Sequence, residues 1–71
     1  MTNISFEETA YGIVLCYDDD WYINDKRVIL GSIGQSEEDT FYYFQPSGHM
    51  LYDEQLEEIA AKVRTLNYSE H

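Results

Sequence analysis

The spacing of apolar residues changes once along this chain, and that change limits the possible folds more than any other feature of the sequence. Three short runs rich in β-branched and aromatic residues come first, at residues 11–17, 27–33 and 40–45. Such runs, bounded by turn residues, are typical of β-strands. After Pro46, apolar residues recur every three or four positions instead, which indicates one amphipathic helix. The helical stripe consists of Leu56, Ile59, Ala60, Val63 and Leu66.

This order of elements predicts a single α+β domain over residues 1–71. We expect a three- or four-stranded antiparallel meander with one C-terminal helix packed on one face. The sheet is predicted over residues 11–45 and the helix over 53–66, followed by a tail at 68–71. Residues 1–9 are predicted to be frayed, with a short strand end at Ile4 and Phe6 as the alternative. The segment 21–23 is a candidate short strand.

Several residues predict local geometry. Asn24 and Asp25 form a good turn pair, because both residue types tolerate a left-handed backbone. Gly31 inside an apolar run predicts a bulge or a close approach of two backbones. Asn67 is a candidate C-terminal helix cap. The basic residues Lys62 and Arg64 suit the negative end of the helix dipole.

The charge is strongly acidic. Fourteen Asp and Glu residues face four Lys and Arg, which gives a net charge of −10 on 71 residues. Such a surface repels nucleic acid and membranes and attracts cationic surfaces, and it exceeds the roughly 2–8 charges that keep a small domain soluble. We therefore predict a partner-binding role for the clustered acids. The sequence leaves open whether the two acidic loops, 18–20 and 37–39, gather at one end of the sheet. The predicted partner-binding residues are Asp18, Asp19, Asp20, Asp25, Glu37, Glu38, Asp39, Glu54, Glu57 and Glu58.

Aromatic residues make up 15% of the chain, which argues against a disordered acidic tail. One helix covers one face of a sheet, so the other face is expected to present aromatic side chains to a partner or to a second copy. The candidate interface aromatics are Trp21, Tyr22, Tyr42 and Phe44.

No residue pattern predicts catalysis, a metal site or a cofactor. Three consecutive Asp residues on an extended segment point alternately to opposite faces, so 18–20 reads as a solvated acidic turn or strand end rather than a calcium loop. His49 and Ser47 are neighbours, but nothing in the sequence supplies the orienting group that a nucleophile needs. Cys16 lies in an apolar run and is predicted to be inert. The chain is accordingly predicted not to be an enzyme.

In size, acidity and aromatic content, the chain resembles the small acidic proteins of phages and mobile elements. The resemblance implies an inhibitor that imitates DNA and blocks a host nuclease, restriction enzyme or CRISPR effector. The first hypothesis is therefore an acidic protein that occupies a cationic surface of a nuclease or other nucleic-acid-binding protein, without itself binding nucleic acid or membrane. The alternative is a small self-associating module, such as a homodimer, that uses an aromatic sheet face. With no signal stretch, no membrane-length apolar run and one free Cys, we expect a cytoplasmic protein.

Overall fold

The chain folds into a four-stranded antiparallel sheet with a helix on one face. The computed structural model describes residues 3–38 and 40–68. The strands occur in the order β1-β2-β3-β4, so each one pairs with its neighbour in sequence. The predicted α+β meander with a C-terminal helix is confirmed. Its elements are β1 (Ile4–Glu8), β2 (Val14–Ile23), β3 (Lys26–Gln35), β4 (Tyr42–Pro46) and α1 (Asp53–Tyr68).

The hydrophobic core lies between the sheet and α1. Side chains alternate between the two faces of a strand, so Val14 and Cys16 of β2 contribute to it together with Val28 and Leu30 of β3. After the irregularity at Leu30, the next core residue of β3 is Ile33. Partly buried side chains from β1, β4 and the helix close its margins. The buried apolar residues are Val14, Cys16, Val28, Leu30, Ile33 and Ile59.

A two-residue turn joins β2 to β3. Asn24 and Asp25 both have positive φ, 54° and 65°, and the flanking residues Ile23 and Lys26 are paired. Two successive left-handed residues give the hairpin a twist that matches the right-handed twist of its strands. The predicted turn is confirmed.

Two irregularities interrupt the pairing of β2 with β3. Cys16 pairs with Gly31 and Tyr17 pairs with Ile29, which leaves Leu30 as an extra residue. The bulge predicted at Gly31 is therefore present. A larger bulge follows, because residues 19–21 of β2 lie between partners that are adjacent on β3.

The predicted boundaries of the sheet are wrong at its N-terminal end. Residues 4–8 are a paired strand rather than frayed, since Phe6 pairs with Cys16 and packs against the core. Residues 11–13 lie in the turn before β2, where Gly12 has a φ of 78° and its amide donates to the Thr9 carbonyl. Residues 18–20 lie inside β2 and not in a turn.

The helix continues past its predicted end at residue 66. It reaches Tyr68, and Asn67 lies within it instead of capping it. The Asn67 side chain bonds β4: Oδ1 accepts from the Tyr42 amide at 2.6 Å, and Nδ2 donates to the Tyr42 carbonyl at 3.2 Å. With the longer helix, Lys62 and Arg64 no longer fall in its last turn. Of the predicted tail, residues 69–71 lie outside the described residues.

Candidate functional site

The acidic segments 18–20 and 37–38 lie at opposite ends of the sheet, so they do not form one patch. Asp18 pairs with Val28 close to the β2–β3 turn. Glu37 and Glu38 follow the other end of β3, where Gln35 pairs with Tyr42. The first run lies in the C-terminal half of β2, and the second follows the C-terminal end of β3. Because these strands are antiparallel, the two acidic segments lie towards opposite ends of the sheet. Asp39 lies outside the described residues.

The structure brings the aspartate run to the beginning of the helix instead. Gln55 Nε2 donates to Asp18 Oδ2 at 2.9 Å, which places the first turns of α1 beside the distal half of β2. The side chains of the helical acids are exposed. We call this end of the molecule, with the hairpin turn, the acidic end. It consists of Asp18, Asp19, Asp20, Asp25, Asp53, Glu54, Glu57 and Glu58.

The three consecutive aspartates point in different directions, as their alternation predicts. Asp18 faces the helix, whereas Asp19, near the opposite face, accepts from the Ser5 hydroxyl and, at 2.9 Å, from Arg27. These bonds, first that of Ser5 and then that of Arg27, lower the pKa of Asp19. Asp20 accepts from Asn3 at 2.9 Å. Within residues 3–38 and 40–68, no three His, Cys, Asp or Glu side chains are grouped to hold a metal ion.

A cleft of about 660 Å³ opens at the acidic end, between the bulge of β2 and the segment that leads into the helix. The ring of Trp21 forms one side and packs edge-on against His49, with ring centroids 5.0 Å apart. The sequence analysis missed this cleft because residues 50–52 follow neither the strand nor the helix spacing. The signal available was an apolar triplet just before the helix. The lining residues are Asp18, Trp21, Met50, Leu51, Tyr52 and Gln55.

Gln55 fixes the floor of the cleft. Its side chain is buried, and its Oε1 accepts from the Tyr52 amide at 2.9 Å, as the third residue of a helix does in a capping box. Its Nε2 holds one oxygen of Asp18, whose other oxygen accepts from the Asp20 amide at 2.9 Å. This chain of three hydrogen bonds ties the helix start to the bulge of β2.

The predicted interface aromatics do not share one face. Tyr42 and Phe44 are partly buried and pack against the core under the helix, so the sequence analysis placed them on the wrong face. Tyr43 between them takes the opposite orientation and is 48% exposed. Trp21 and Tyr22 are exposed near the hairpin end.

The side chains considered as candidate nucleophiles or bases, at Ser47, His49 and Cys16, are in contacts or surroundings that do not suit catalysis. Ser47 donates its hydroxyl hydrogen to the Ile29 carbonyl at 2.6 Å, and the neighbouring His49 ring packs on Trp21. Cys16 has no exposed surface, and burial raises the pKa of its thiol to about 11 in spite of the opposing charge of Lys62. A thiol with this pKa is almost entirely protonated near neutral pH, which makes it a poor nucleophile.

Comparison with known proteins returned nothing. No protein-family model, curated protein or solved structure matched this chain. In the described part of the chain, no helix combines the length and the apolar character that crossing a bilayer requires. The acidic end and its cleft are therefore interpreted from their own geometry and chemistry.

Proposed function

We propose that this protein is a non-enzymatic acidic inhibitor that occupies a cationic, nucleic-acid-binding surface of a partner protein. The supporting observation is the acidic end, where the bond between Gln55 and Asp18 joins the aspartate run to the acidic turns of α1. A nuclease or a similar protein that normally holds DNA is the partner class that fits this charge.

The spacing of the helical acids suits a surface built for phosphates. Glu57 and Glu58 follow Glu54 by three and four residues, so each of their Cβ atoms lies about 5–6 Å from that of Glu54. All three side chains are exposed. Duplex DNA presents one negative charge per roughly 1.7 Å of its axis. A fixed group of carboxylates can therefore engage several of the basic side chains that a DNA-binding groove presents.

Two of the four basic side chains are already engaged inside the molecule. Arg27 binds Asp19 and lies 4.3 Å from the centroid of the Tyr17 ring, and Lys62 lies 5.6 Å from the centroid of the Phe6 ring. Neither is free to neutralise the acidic end as a whole. Like charges held close together oppose folding, and a cationic partner would relieve that repulsion.

The second candidate function is self-association through the sheet face that lacks the helix. The supporting observation is that Ile29 and Tyr43, on adjacent strands, are 39% and 48% exposed there. An exposed apolar face of this kind is typical of interfaces. In this case a second copy is the partner and the acids serve solubility.

The first experiment is capture of partners from the lysate of the source cells, followed by elution with a salt gradient or with duplex DNA. The variant Glu57→Gln/Glu58→Gln removes two charges from the acidic end. The control Glu37→Gln/Glu38→Gln removes the same two charges from the other end of the sheet.

We expect wild type and control to retain a nucleic-acid-binding protein that both salt and DNA release. The Glu57→Gln/Glu58→Gln variant should lose it or release it at lower salt. If both variants lose the captured protein equally, only the net charge matters and not its position, which would contradict the proposal. If the protein recovers only itself, indifferent to salt and DNA, and loses this association in Tyr43→Ala, the second function is correct.

A further inference from the structure

The cleft at the acidic end contains one charged group with unused binding capacity. Each oxygen of the Asp18 carboxylate accepts one hydrogen bond of 2.9 Å, from the Asp20 amide and from Gln55. A carboxylate oxygen can accept two hydrogen bonds, so each retains one acceptor site. Among the residues that the structure describes, neither Lys nor Arg lines the cleft.

The walls of the cleft are apolar and accessible. Trp21 is 39% exposed, Tyr52 75% and Met50 89%. Large exposed apolar side chains around one buried polar floor are typical of a binding site. The electron-rich faces of Trp and Tyr rings also attract cations. The cleft therefore suits a ligand that has a flat or extended apolar body and a positive charge at its tip.

The protein already contains this recognition unit on the other face of its sheet. There, the guanidinium of Arg27 bonds Asp19 at 2.9 Å and lies 4.3 Å from the centroid of the Tyr17 ring. Asp18, one residue earlier, lies beside the aromatic rings of the cleft without a guanidinium group. Asp18 thus shares a cleft with two aromatic side chains, Trp21 and Tyr52, but only Asp19 has an arginine partner.

We propose that the cleft receives an arginine side chain that projects from the cationic surface of the partner. The guanidinium binds the remaining acceptor sites of Asp18, and its plane stacks on Trp21 or Tyr52. Arginine fits better than lysine, because a planar guanidinium both pairs with a carboxylate through two hydrogen bonds and stacks on a ring. This inference rests on the proposed function and identifies one contact between the protein and its partner.

The test uses Trp21, which is the single tryptophan of the chain and lines the cleft, as a fluorescent reporter. The probe is N-acetyl-L-arginine amide, and the matched control compound is N-acetyl-L-citrulline amide, which has nearly the same shape and no charge. We expect the arginine compound to shift the emission of Trp21 saturably, with a dissociation constant on the order of 1–10 mM. The citrulline compound should bind at least about tenfold more weakly.

Two variants locate the binding site. Asp18→Asn should abolish the response, whereas Asp25→Asn, which removes the same charge from the same end, should preserve it. Asp25 lies in the turn with a φ of 65°, a conformation that Asn also tolerates. Asp18→Asn also disturbs the hydrogen bond to Gln55, so a second variant, Tyr52→Leu, is needed. It removes one aromatic ring of the cleft and keeps the backbone amide of residue 52, which donates to Gln55. We expect it to weaken arginine binding severalfold while its thermal unfolding stays close to that of wild type.

Three results would overturn the inference. An equal response to arginine and citrulline would make the cleft an apolar ligand site, and an emission spectrum that depends on protein concentration alone would assign it to a second copy. An absent response would show that the cleft does not take arginine. None of these measurements needs the partner protein. The proposed function is tested separately, by comparing partner capture by wild type with capture by Glu57→Gln/Glu58→Gln, so failure of one proposal can be told from failure of the other.

Discussion

Gly31 lies on β3 opposite Pro46 of β4, where a side chain would have no room. A Cβ atom at this position would lie 2.5 Å from the Gln45 carbonyl oxygen and 2.5 Å from Cζ of the Phe44 ring. The carbonyl belongs to the backbone of a paired strand, so it cannot move aside without disturbing the sheet. The close approach predicted from a glycine inside an apolar run is therefore a steric requirement.

We expect Gly31→Ala to lower the free energy of unfolding by about 2–3 kcal/mol, as other overpacked sites do. The control is Gly34→Ala on the same strand, where the nearest atom, Cγ1 of Ile13, lies 3.9 Å from the added Cβ. It should change stability by less than about 0.5 kcal/mol. Urea unfolding followed by circular dichroism measures both variants, and equal losses would show that crowding at Gly31 does not set the cost.

The conformation and contacts of some single residues could be predicted from the sequence, and those of others could not. The Asn24 and Asp25 turn could be predicted because its requirement is local: both residues must adopt positive φ. The environment of Asp18 could not, since its partner Gln55 is 37 residues away. Only the folded chain brings this carboxylate and this amide together and separates Asp18 from Asp19.

At the scale of elements, the outer edge of β4 is partly closed by the helix. The Asn67 side chain bonds both the amide and the carbonyl of Tyr42, as a neighbouring strand would. Pro46, at the other end of β4, has no amide hydrogen to offer. A sheet edge with unpaired backbone groups tends to add strands from other molecules, and these two residues limit that tendency.

Replacing Asn67 by Ala should destabilise the protein by about 1–2 kcal/mol, because two backbone groups of Tyr42 lose their partners. We also expect more self-association through the opened edge. Chemical denaturation and light scattering measure the two effects, with Thr65→Ala on the exposed side of α1 as the control. An Asn67→Ala variant that is as stable and as monodisperse as the control would contradict this role of the side chain.

The elements themselves were largely predictable, and their ends were not. The apolar runs and the helical stripe indicated β2, β3, β4 and α1, since each must bury one side. For β1 the sequence offered no more than a short strand end, because only Ile4 and Phe6 pack against the core within a polar segment. The last two helical residues were not predicted because Asn67, interpreted as a cap, bonds β4 instead.

At the scale of the whole molecule, the net charge of −10 works against the fold. Added salt should therefore stabilise the protein, since the Debye length falls from about 30 Å at 0.01 M to about 3 Å at 1 M. We expect the Tm at pH 7 to rise by roughly 4–8 °C over this range, equivalent to about 1 kcal/mol in a domain of this size. Glu57→Gln/Glu58→Gln should show a higher Tm at low salt and a smaller rise. A Tm that does not respond to salt would show that the acids do not repel one another strongly.

The same charge gives stability a two-sided pH dependence. Moderate acidification from pH 7 protonates exposed carboxylates and reduces repulsion, so the Tm should first rise. The pKa of Asp19 is lower in the folded protein than its ordinary value of 3.8, because Ser5 and Arg27 bond the ionised form. The stabilisation from Asp19 is complete above that ordinary value and is lost as the pH falls through the lowered pKa. Thermal unfolding from pH 7 to 2 at fixed salt should therefore pass through a maximum.

The bond between Gln55 and Asp18 also has a consequence for how the chain folds. In a meander each strand pairs with its neighbour in sequence, so the sheet can assemble through short loops that close rapidly. The contact between Asp18 and Gln55 spans 37 residues and needs the hairpin and the helix to be in place first. It therefore forms late on the way to the native state. The acidic end is therefore complete only in molecules that have formed both the hairpin and the helix, so less folded chains do not present it.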